Sequence, residues 1–469
     1  MGAACCAGAA VAGSAASAGP SSLLDGTIYS FLSAIPIALY HYYPHITLVL
    51  ATLLVLGASS LYLLLILFTP ETKTSSPSEL TFLSTSSTEP QGLPLLLKPL
   101  ENGGVNGAVQ LSVVVPAYNE KDRLPTMLQE TVGFLDALKE GKRSLVQGVP
   151  KDQSNGKGSG TSNGVSTPTT VHSALHDPLT SYEIIIVDDG STDGTHAVAL
   201  DWARSHASSA AASTIRVVRL VKNRGKGGAV RHGVLHSRGH LVLFADADGA
   251  TSFGDLSKLC SVLARVVTPA GHGVAVGSRA HMVKSDAVVK RSFVRNFLMH
   301  CFHLFLTLLL RPPTLGALLR RWRGKSKTKG REALPVQPEI KDTQCGFKLF
   351  TRPTAAVVFP ASHIDGWIFD VELLILAQTS SALALQQQLP TSCASPSSKD
   401  KSEPKEEDAD EWRELNRLPI PIAEVSVHWQ EVGGSKIDLV RDSIRMALDL
   451  IVIRANYVLG RWKMPPPAK

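Results

Sequence analysis

The chain has 469 residues, and its 47 lysines and arginines against 40 aspartates and glutamates give a formal net charge of +7. This mildly basic balance suits an anionic ligand or a membrane surface, and we expect no nucleic-acid partner. The 6 cysteines form no CxxC pair and no His/Cys spacing typical of a metal site, so reduced thiols in a cytosol-facing chain are expected.

The first predicted element is a membrane-spanning helix. Residues 46–68 read ITLVLATLLVLGASSLYLLLILF without a charge, and about 23 helical residues cross a hydrocarbon layer of about 30 Å. Lys73 and Lys98 follow this stretch while Asp25 precedes it, which places the bulk of the chain in the cytosol. Residues 1–45 then form an N-terminal segment that is itself partly apolar. A buried helix of a soluble core is the alternative interpretation of the apolar stretch.

A strand and a helix are predicted next, after a linker at residues 69–109. Residues 111–115 are a continuous apolar run, and Pro116 is expected to end this buried strand. The stretch RLPTMLQETVGFLDALKE has its apolar residues at helical spacing. Residues 141–180 are rich in Ser, Gly, Thr and Asn, which indicates a disordered insertion.

Three further strands alternate with helical stretches, in YEIIIVDDGSTDGT, STIRVVRLVKN and HLVLFADADGA. This rhythm predicts an α/β fold with a mostly parallel sheet and helices on both faces. In such sheets ligands bind at the carboxyl ends of the strands. One domain is expected over residues 110–462, with further low-complexity insertions at residues 312–340 and 379–416 and a tail at residues 463–469.

Carboxylates follow two of these strands. Asp188 and Asp189 come after the second strand, and Asp246 and Asp248 after the fourth. Residues two apart on a strand point to the same face, so Asp246 and Asp248 can enter one site. Neighbouring carboxylates repel, and a divalent cation removes that penalty. We therefore expect Mg²⁺ or Mn²⁺, held by one or two carboxylates together with substrate phosphates.

The stretch KNRGKGGAVRHG places glycines and Lys226 directly before a predicted helix. Gly225, Gly227 and Gly228 allow a backbone to approach a phosphate, and a helix start favours an anion. No Ser or Thr follows Lys226, so this is not a Walker A loop, and no GxGxxG follows the first strand, which argues against a dehydrogenase. An ordinary glycine-rich turn is the alternative.

Taken in order, the motifs resemble those of family 2 glycosyltransferases with the GT-A fold. They are VVVPAYNE, VDDGSTDGT, NRGKGGAVRHG, DADGAT and VGSR. Further along, DTQCGFKLF, GWIFDVELL and IAEVSVHWQEVGGSKI are more similar to the branch that transfers glucose to dolichyl phosphate than to the branch that transfers mannose. The resemblance covers Gln110 to about Trp462, apart from the insertions.

The resemblance implies an inverting transfer of glucose from UDP-glucose to dolichyl phosphate, which gives dolichyl β-D-glucosyl phosphate for protein N-glycosylation. It also implies Mg²⁺ or Mn²⁺ as cofactor and a single-pass protein in contact with membrane lipid. The expected location is the endoplasmic reticulum membrane, with the catalytic domain in the cytosol. Two alternatives stay open: mannosyl transfer from GDP-mannose, and a non-catalytic membrane-tethered scaffold that binds nucleotide sugars.

Roles for single residues follow from the same resemblance. The nucleotide sugar is expected to contact Pro116, Tyr118, Glu120, Asp188, Asp189, Lys226 and Asp246. The implied catalytic residues are Asp246, Asp248, Arg279 and Asp370, with Asp248 and then Asp246 as metal ligands. Arg291 and Arg295 fall where related enzymes meet the lipid phosphate. Glu372 is a further acceptor-side candidate, with a plain surface carboxylate as the alternative.

Overall fold

The structure is a computed structural model, and it divides the chain into two compact units, residues 1–69 and 70–469. The described residues are 41–71, 74–87, 89–94, 108–146, 171–206, 214–268, 271–284, 340–380, 420–434, 436 and 438–462. Several predicted features therefore lie outside them: most of the N-terminal segment, almost all of the insertions at 312–340 and 379–416, and the C-terminal tail.

The described part of the first unit is dominated by one helix, α1 (Pro44–Phe68), of 25 residues. It contains the whole span that the sequence predicts at residues 46–68. Among the described residues it is the one helix that is long and apolar enough to cross a membrane. Its length and composition are compatible with a single-pass membrane anchor.

A small two-stranded sheet opens the described part of the second unit. A 3₁₀ turn, Pro77–Leu80, leads into β1 (Thr81–Phe82), which pairs antiparallel with β2 (Gln91–Gly92). Leu83 then exchanges two backbone hydrogen bonds of 2.9 Å with a strand of the main sheet. The expectation of a linker over residues 69–109 is therefore wrong for this part, because it packs on the domain.

The main sheet has seven strands in the order β5-β4-β3-β6-β8-β7-β9. Neighbouring strands run parallel except β8, which is antiparallel to both β6 and β7. This arrangement confirms the mostly parallel sheet of the prediction. The strands are β3 (Val109–Ala117), β4 (Tyr182–Asp188), β5 (Ile215–Arg219), β6 (Gly239–Ala245), β7 (Val274–Ser278), β8 (Phe347–Thr351) and β9 (Ile422–Ser426).

The strand β3 is the centre of the parallel part and brings the site loops together. It lies between β4 and β6, so the carboxyl ends of all three strands meet at one edge. The prediction that Pro116 ends β3 is wrong, since Pro116 pairs with Val187 and the strand continues to Ala117. The ladder to β6 stops at Val114, so β3 has one partner at this point and tolerates a missing N–H.

Helices cover both faces of the sheet, as predicted. The described helices of this unit are α2 (Leu124–Lys139), α3 (Val171–His176), α4 (Thr195–Ser205), α5 (Lys226–Leu235), α6 (Leu256–Val266), α7 (Arg352–Val358), α8 (Phe369–Thr379) and α9 (Leu439–Val458). Leu111 and Val113 of β3 belong to the main hydrophobic cluster, which includes residues of α2 and α6. Val114 faces the opposite way and lies against Gly233 of α5, where an added Cβ would come within 2.5 Å of it.

The short helix α3 lies within the stretch 141–180 that the sequence predicts to be disordered. Its side chains Ala174 and Leu175 are buried in the main hydrophobic cluster. The Gln110 side chain donates a hydrogen bond of 2.9 Å to the Ala174 carbonyl. The prediction is therefore wrong for the last ten residues of the stretch, which complete the core beside the first residues of β3.

Candidate active site

The loops that follow β3 and β4 are joined by hydrogen bonds into one wall of the candidate site. The amide of Asn119 donates to Ser191 Oγ and the amide of Glu120 donates to Thr195 Oγ1, both at 2.9 Å. The Asn119 side chain in turn accepts from the Thr192 amide at 2.9 Å. Asn119 has a φ of 55°, a left-handed conformation that asparagine tolerates well. The sequence analysis missed Asn119, Ser191 and Thr195, whose role depends on contacts between loops.

The two aspartates at the end of β4 are buried and bind backbone amides. Asp188 accepts from the Ser191 amide at 2.9 Å and so fixes its own loop. Asp189 accepts from the amides of Arg224 and Gly225, at 2.7 and 2.9 Å. Asp189 therefore ties β4 to the glycine-rich loop. The expected contacts of both aspartates with the nucleotide stay predictions.

The glycines of that loop are required by the protein's own packing. Gly225 has a φ of 92°, and a Cβ on it would lie 2.5 Å from the Asp365 carbonyl oxygen. A Cβ on Gly227 would lie 2.5 Å from Phe369 Cβ. The sequence analysis explained these glycines by the approach of a phosphate. At Gly225 and Gly227 the close neighbours are instead the backbone at residue 365 and a side chain of α8.

Lys226 begins α5 and points to the end of β6. Its Nζ lies 2.6 Å from Asp246 Oδ1 and 5.9 Å from the centroid of the Trp367 ring. Burial lowers the pKa of Lys226, but Asp246 and Asp370 raise it more, so the pKa lies above its usual range. The start of α5 thus carries a permanent cation, which adds to the partial positive charge of a helix N-terminus.

Asp246 and Asp248 differ in their partners. The Asp246 amide donates to the Gly346 carbonyl at 3.2 Å, and its carboxylate pairs with Lys226. Asp248 Oδ1 accepts from the Ala250 amide at 3.0 Å and so holds its own turn. The other oxygen of Asp248 makes no hydrogen bond or ion pair with any residue in the described part of the chain. Both carboxylates act electrostatically on Lys226, as expected for two acidic groups that face one site.

These two carboxylates fit a divalent cation of the kind that binds with a phosphate. The described residues contain no group of three or more His, Cys, Asp or Glu that could hold a metal ion. Mg²⁺ commonly takes only one or two protein carboxylates and completes its shell with phosphate oxygens and water. Asp248 has an available oxygen for such a role, while Asp246 shares its carboxylate with Lys226.

Arg279 lies just beyond β7 and is held by a carboxylate that the sequence analysis missed. Its Nε and Nη2 donate to the two oxygens of Asp342, at 2.7 and 3.0 Å. The guanidinium carbon is 5.6 Å from the centroid of the Trp429 ring. Burial lowers the pKa of Arg279, but Asp342 and then Asp246 raise it above its usual range. Arg279 is thus a fixed cation within electrostatic range of Asp246.

Asp370, in the first turn of α8, forms a buried ion pair. Lys348 of β8 is fully buried, and its Nζ lies 2.6 Å from both Asp370 Oδ1 and the Cys345 carbonyl. Burial raises the pKa of Asp370, although Lys348 and Lys226 act in the opposite direction. Asp370 therefore belongs to the same electrostatic network as Lys226 and Asp246.

Glu372 is not the surface carboxylate considered as the alternative. It is fully buried and accepts from the amides of His363 and Ile364, both at 2.8 Å. It also accepts from the Tyr457 hydroxyl at 3.1 Å, which joins α8 to α9. These partners give Glu372 a structural role, and its predicted place on the acceptor side is not supported by its contacts.

The remaining predicted residues lie near the loops that follow β3 and β4, or outside the described part of the chain. Tyr118 is 38% exposed, and Pro116 is partly exposed. Glu120 pairs with Arg123 through two hydrogen bonds of 2.6 and 2.5 Å. Burial raises the pKa of Glu120 despite Arg123, and Asp248 adds to the rise, so Glu120 and Asp248 are within electrostatic range. Arg291 and Arg295 lie outside the described residues.

Comparison with known families identifies a glycosyltransferase segment in this chain. Residues 165–299 match the family model described as Glycosyl transferase family 2. The curated dolichyl-phosphate beta-glucosyltransferase of Dictyostelium discoideum is 37% identical, over 78% of this chain and 80% of the relative. The protein of the same name from Homo sapiens is 35% identical, over 77% and 79%. The one from Saccharomyces cerevisiae is 34% identical, over 88% and 94%.

Among the solved structures that match this chain is glucosyl-3-phosphoglycerate synthase from Mycobacterium tuberculosis in complex with UDP. It is 16% identical, with a TM-score of 0.35, over 73% of this chain and 80% of that one. The curated relatives match over most of their own length at more than 30% identity.

Proposed function

Since the chain belongs to the dolichyl-phosphate β-glucosyltransferases of glycosyltransferase family 2, we propose that it transfers glucose from UDP-glucose to dolichyl phosphate and inverts the anomeric centre. The observation that carries this proposal is the electrostatic network at the ends of β6 and β7. There Asp246 interacts electrostatically with both Lys226 and Arg279. Asp248 keeps one oxygen available for a ligand. Such an arrangement suits a diphosphate bound with a divalent cation.

The departure of UDP is the step that these charges serve. As the bond to glucose breaks, negative charge grows on the diphosphate, and the fixed cations Lys226 and Arg279 stabilise it without having to reorganise. A Mg²⁺ or Mn²⁺ ion, when bound, supplies further Lewis-acid stabilisation, and Asp248 with Asp246 would hold it. Asp342 and Trp429 keep the Arg279 side chain in place for this purpose.

The acceptor needs little activation. Dolichyl phosphate is a phosphate monoester, whose second pKa is about 6, so it is largely dianionic at neutral pH. A strong general base is therefore unnecessary, and correct positioning supplies much of the rate. Direct attack on the α-linked donor gives a β-linked product. We assign Asp370 to the acceptor side on the strength of the sequence resemblance. In the structure it is buried next to Lys348 and within electrostatic range of Lys226.

The lipid acceptor also suits the membrane-length helix. We propose that α1 anchors the chain in the endoplasmic reticulum membrane, with the second unit in the cytosol and its product used in N-glycosylation. Arg291 and Arg295 are proposed to meet the lipid phosphate, on the strength of the sequence resemblance.

The test is a donor-by-acceptor assay of the purified full chain in detergent, with Mg²⁺ or Mn²⁺ present. We expect transfer of radiolabelled glucose from UDP-glucose to dolichyl phosphate, with a β-linkage in the product. Equal or faster transfer from GDP-mannose would contradict the glucosyl assignment. If neither sugar is transferred although UDP binds, the scaffold alternative is favoured instead.

A further inference from the structure

The segment between the membrane-length helix and the main sheet contacts the glycine-rich loop of the candidate site. We call residues 74–87 and 89–94 the strap. Within it, Leu83 and Val217 of β5 exchange two backbone hydrogen bonds of 2.9 Å, which adds the strap to the edge of the main sheet. Phe82 is buried, with the guanidinium of Arg216 4.4 Å from its ring centroid. The strap is therefore part of the domain and is held at a defined register.

Glu79 in the 3₁₀ turn of the strap is 3% exposed and forms an ion pair with Arg224. Its two carboxylate oxygens also accept from the amides of Ser76 and Val221, at 2.7 and 2.9 Å. Burial opposes ionisation, but these amides and Arg224 lower the pKa of Glu79 below its usual range. Glu79 is thus a buried carboxylate with a full set of partners, and it holds both the strap and the loop that follows β5.

The Arg224 side chain lies in a cage made by the strap. Besides Glu79, it donates to the Thr74 carbonyl at 3.2 Å and to Ser75 Oγ at 3.4 Å. Buried charges of this kind are stable only when they are paired, so Arg224 and Glu79 depend on each other. Removal of the carboxylate leaves a buried guanidinium without its counter-charge, which pushes the loop out of its position.

Arg224 is connected to the donor site by two residues of chain. Its own amide and that of Gly225 donate to Asp189 at 2.7 and 2.9 Å, and the next residue is Lys226. Lys226 in turn pairs with Asp246 at 2.6 Å. The loop is therefore clamped from two sides: Asp189 binds its backbone from the β4 end, and Glu79 binds its one buried arginine from the strap.

We propose that Glu79 is a positioning residue for the nucleotide donor, which acts through Arg224 to hold Lys226 at the diphosphate. The inference rests on the proposed function, because it takes the neighbourhood of Lys226 and Asp246 as the donor site. It assigns the strap a part in catalysis that its sequence, which reads as a linker, does not indicate. Glu79 is 3% exposed and is bound by Arg224 and two backbone amides, so it should act on the donor only through the loop.

The experiment compares full-length Glu79→Gln with wild type in steady-state kinetics, well below the thermal midpoint of either. The glutamine side-chain oxygen can still accept from Arg224, and the lost charge assistance predicts a rise of about fivefold to tenfold in the KM for the donor. The kcat should fall as well, because the displaced Lys226 is the cation proposed to stabilise the departing diphosphate. The KM for dolichyl phosphate should change by less than about twofold, since the acceptor side of the network is untouched. The matched control is Glu89→Gln, an exposed glutamate of the same strap, which should leave all three parameters unchanged.

A second variant covers the case in which Glu79→Gln does not fold. The pair Glu79→Gln/Arg224→Gln removes both buried charges, and we expect it to fold and to show the same rise in donor KM. A folded variant of either kind with wild-type donor KM would overturn the proposal, as would an equal rise in both KM values. The wild type is first assayed with UDP-glucose and GDP-mannose. If it prefers GDP-mannose, the sugar assignment is wrong, and the Glu79 comparison is made with that donor.

Discussion

Asp246 and Asp248 show how two aspartates on one strand end acquire different tasks. Asp246 is bound to Lys226 at 2.6 Å and keeps that cation in the site. Asp248 uses one oxygen for its own turn, and the other makes no hydrogen bond or ion pair within the described part of the chain. The spacing D-x-D predicts that both aspartates enter one site. It does not predict which of them pairs with Lys226, because that depends on where the start of α5 lies in the folded chain.

The metal role proposed for Asp248 predicts the effect of Asp248→Asn. The amide oxygen of asparagine can still accept from the Ala250 amide, so the turn and the thermal midpoint should be preserved. The lost charge should reduce kcat by a factor of the order of 10² or more, as for other groups that stabilise developing charge. The matched control is Asp122→Asn at an exposed loop position, which should keep wild-type turnover. Unchanged turnover in Asp248→Asn would remove its metal role.

His232, beneath the strap, predicts a dependence of stability on pH. It is 4% exposed, and burial together with neighbouring His236 lowers its pKa from 6.5 to about 4. Between these values the unfolded chain binds a proton that the folded chain does not, so the free energy of unfolding falls as the pH falls. This contribution is fully present above about pH 6.5 and is lost progressively toward pH 4.

The measurement is the thermal midpoint of the full chain in detergent from pH 7 to pH 4.5. We expect a smaller decrease with falling pH in His232→Gln than in wild type. Some decrease remains, because burial also lowers the pKa of His272 to about 4. The control is His172→Gln, which removes an exposed histidine and should follow the wild-type curve. Parallel curves for His232→Gln and wild type would be evidence against the lowered pKa of His232 as a source of the pH dependence.

At the scale of elements, the glycine-rich loop predicts a contrast between two glycines with positive φ. Gly225 and Gly194 have φ of 92° and 86°, so alanine is strained at both, by about 1–3 kcal/mol. Gly194 has open space around its Cβ position, whereas Gly225 has the Asp365 carbonyl oxygen at 2.5 Å. Gly225→Ala must therefore displace the loop as well.

Two measurements separate the backbone strain from the displacement of the loop: the affinity for UDP by calorimetry, and the denaturation midpoint. Both alanine variants should lower the midpoint, and only Gly225→Ala should weaken UDP binding as well, by about tenfold or more, since Lys226 follows it directly. Equal UDP affinity in the two variants would mean that the loop does not position the donor site.

The long elements follow from the sequence, whereas the short ones do not. The strands β3, β4 and β6 are predictable because each is a buried apolar run followed by polar residues. The strap and α3 have mixed, serine-rich sequences without a clear period, and contacts with distant residues hold them in place. Glu79 with Arg224, and Gln110 with Ala174, are contacts of this kind. No local sequence pattern indicates which distant residues will form such contacts.

At the scale of the whole molecule, the site combines predictable and unpredictable parts. Asp246, Asp248 and Lys226 lie at a strand end and a helix start, where the parallel sheet predicts a ligand. Asp342 and Lys348 come from the region around β8, which inserts antiparallel between β6 and β7. The alternation of strands and helices in the sequence does not indicate that β8 runs antiparallel to its neighbours. Asp342 and Lys348 both belong to the motif DTQCGFKLF, but the motif alone does not indicate that they pair with Arg279 and Asp370.

The place of β8 in the sheet has a consequence for how the protein is made. Its neighbour β6 ends at residue 245, and β8 begins only at residue 347. A ribosome adds roughly 5–20 residues each second, so the first strands emerge several seconds before the one that must lie beside them. During that interval the nascent polypeptide exposes a sheet edge and possesses no complete donor site. Since Trp429, which lies beside Arg279, comes after β9, the proposed donor site is complete only when translation has passed residue 429.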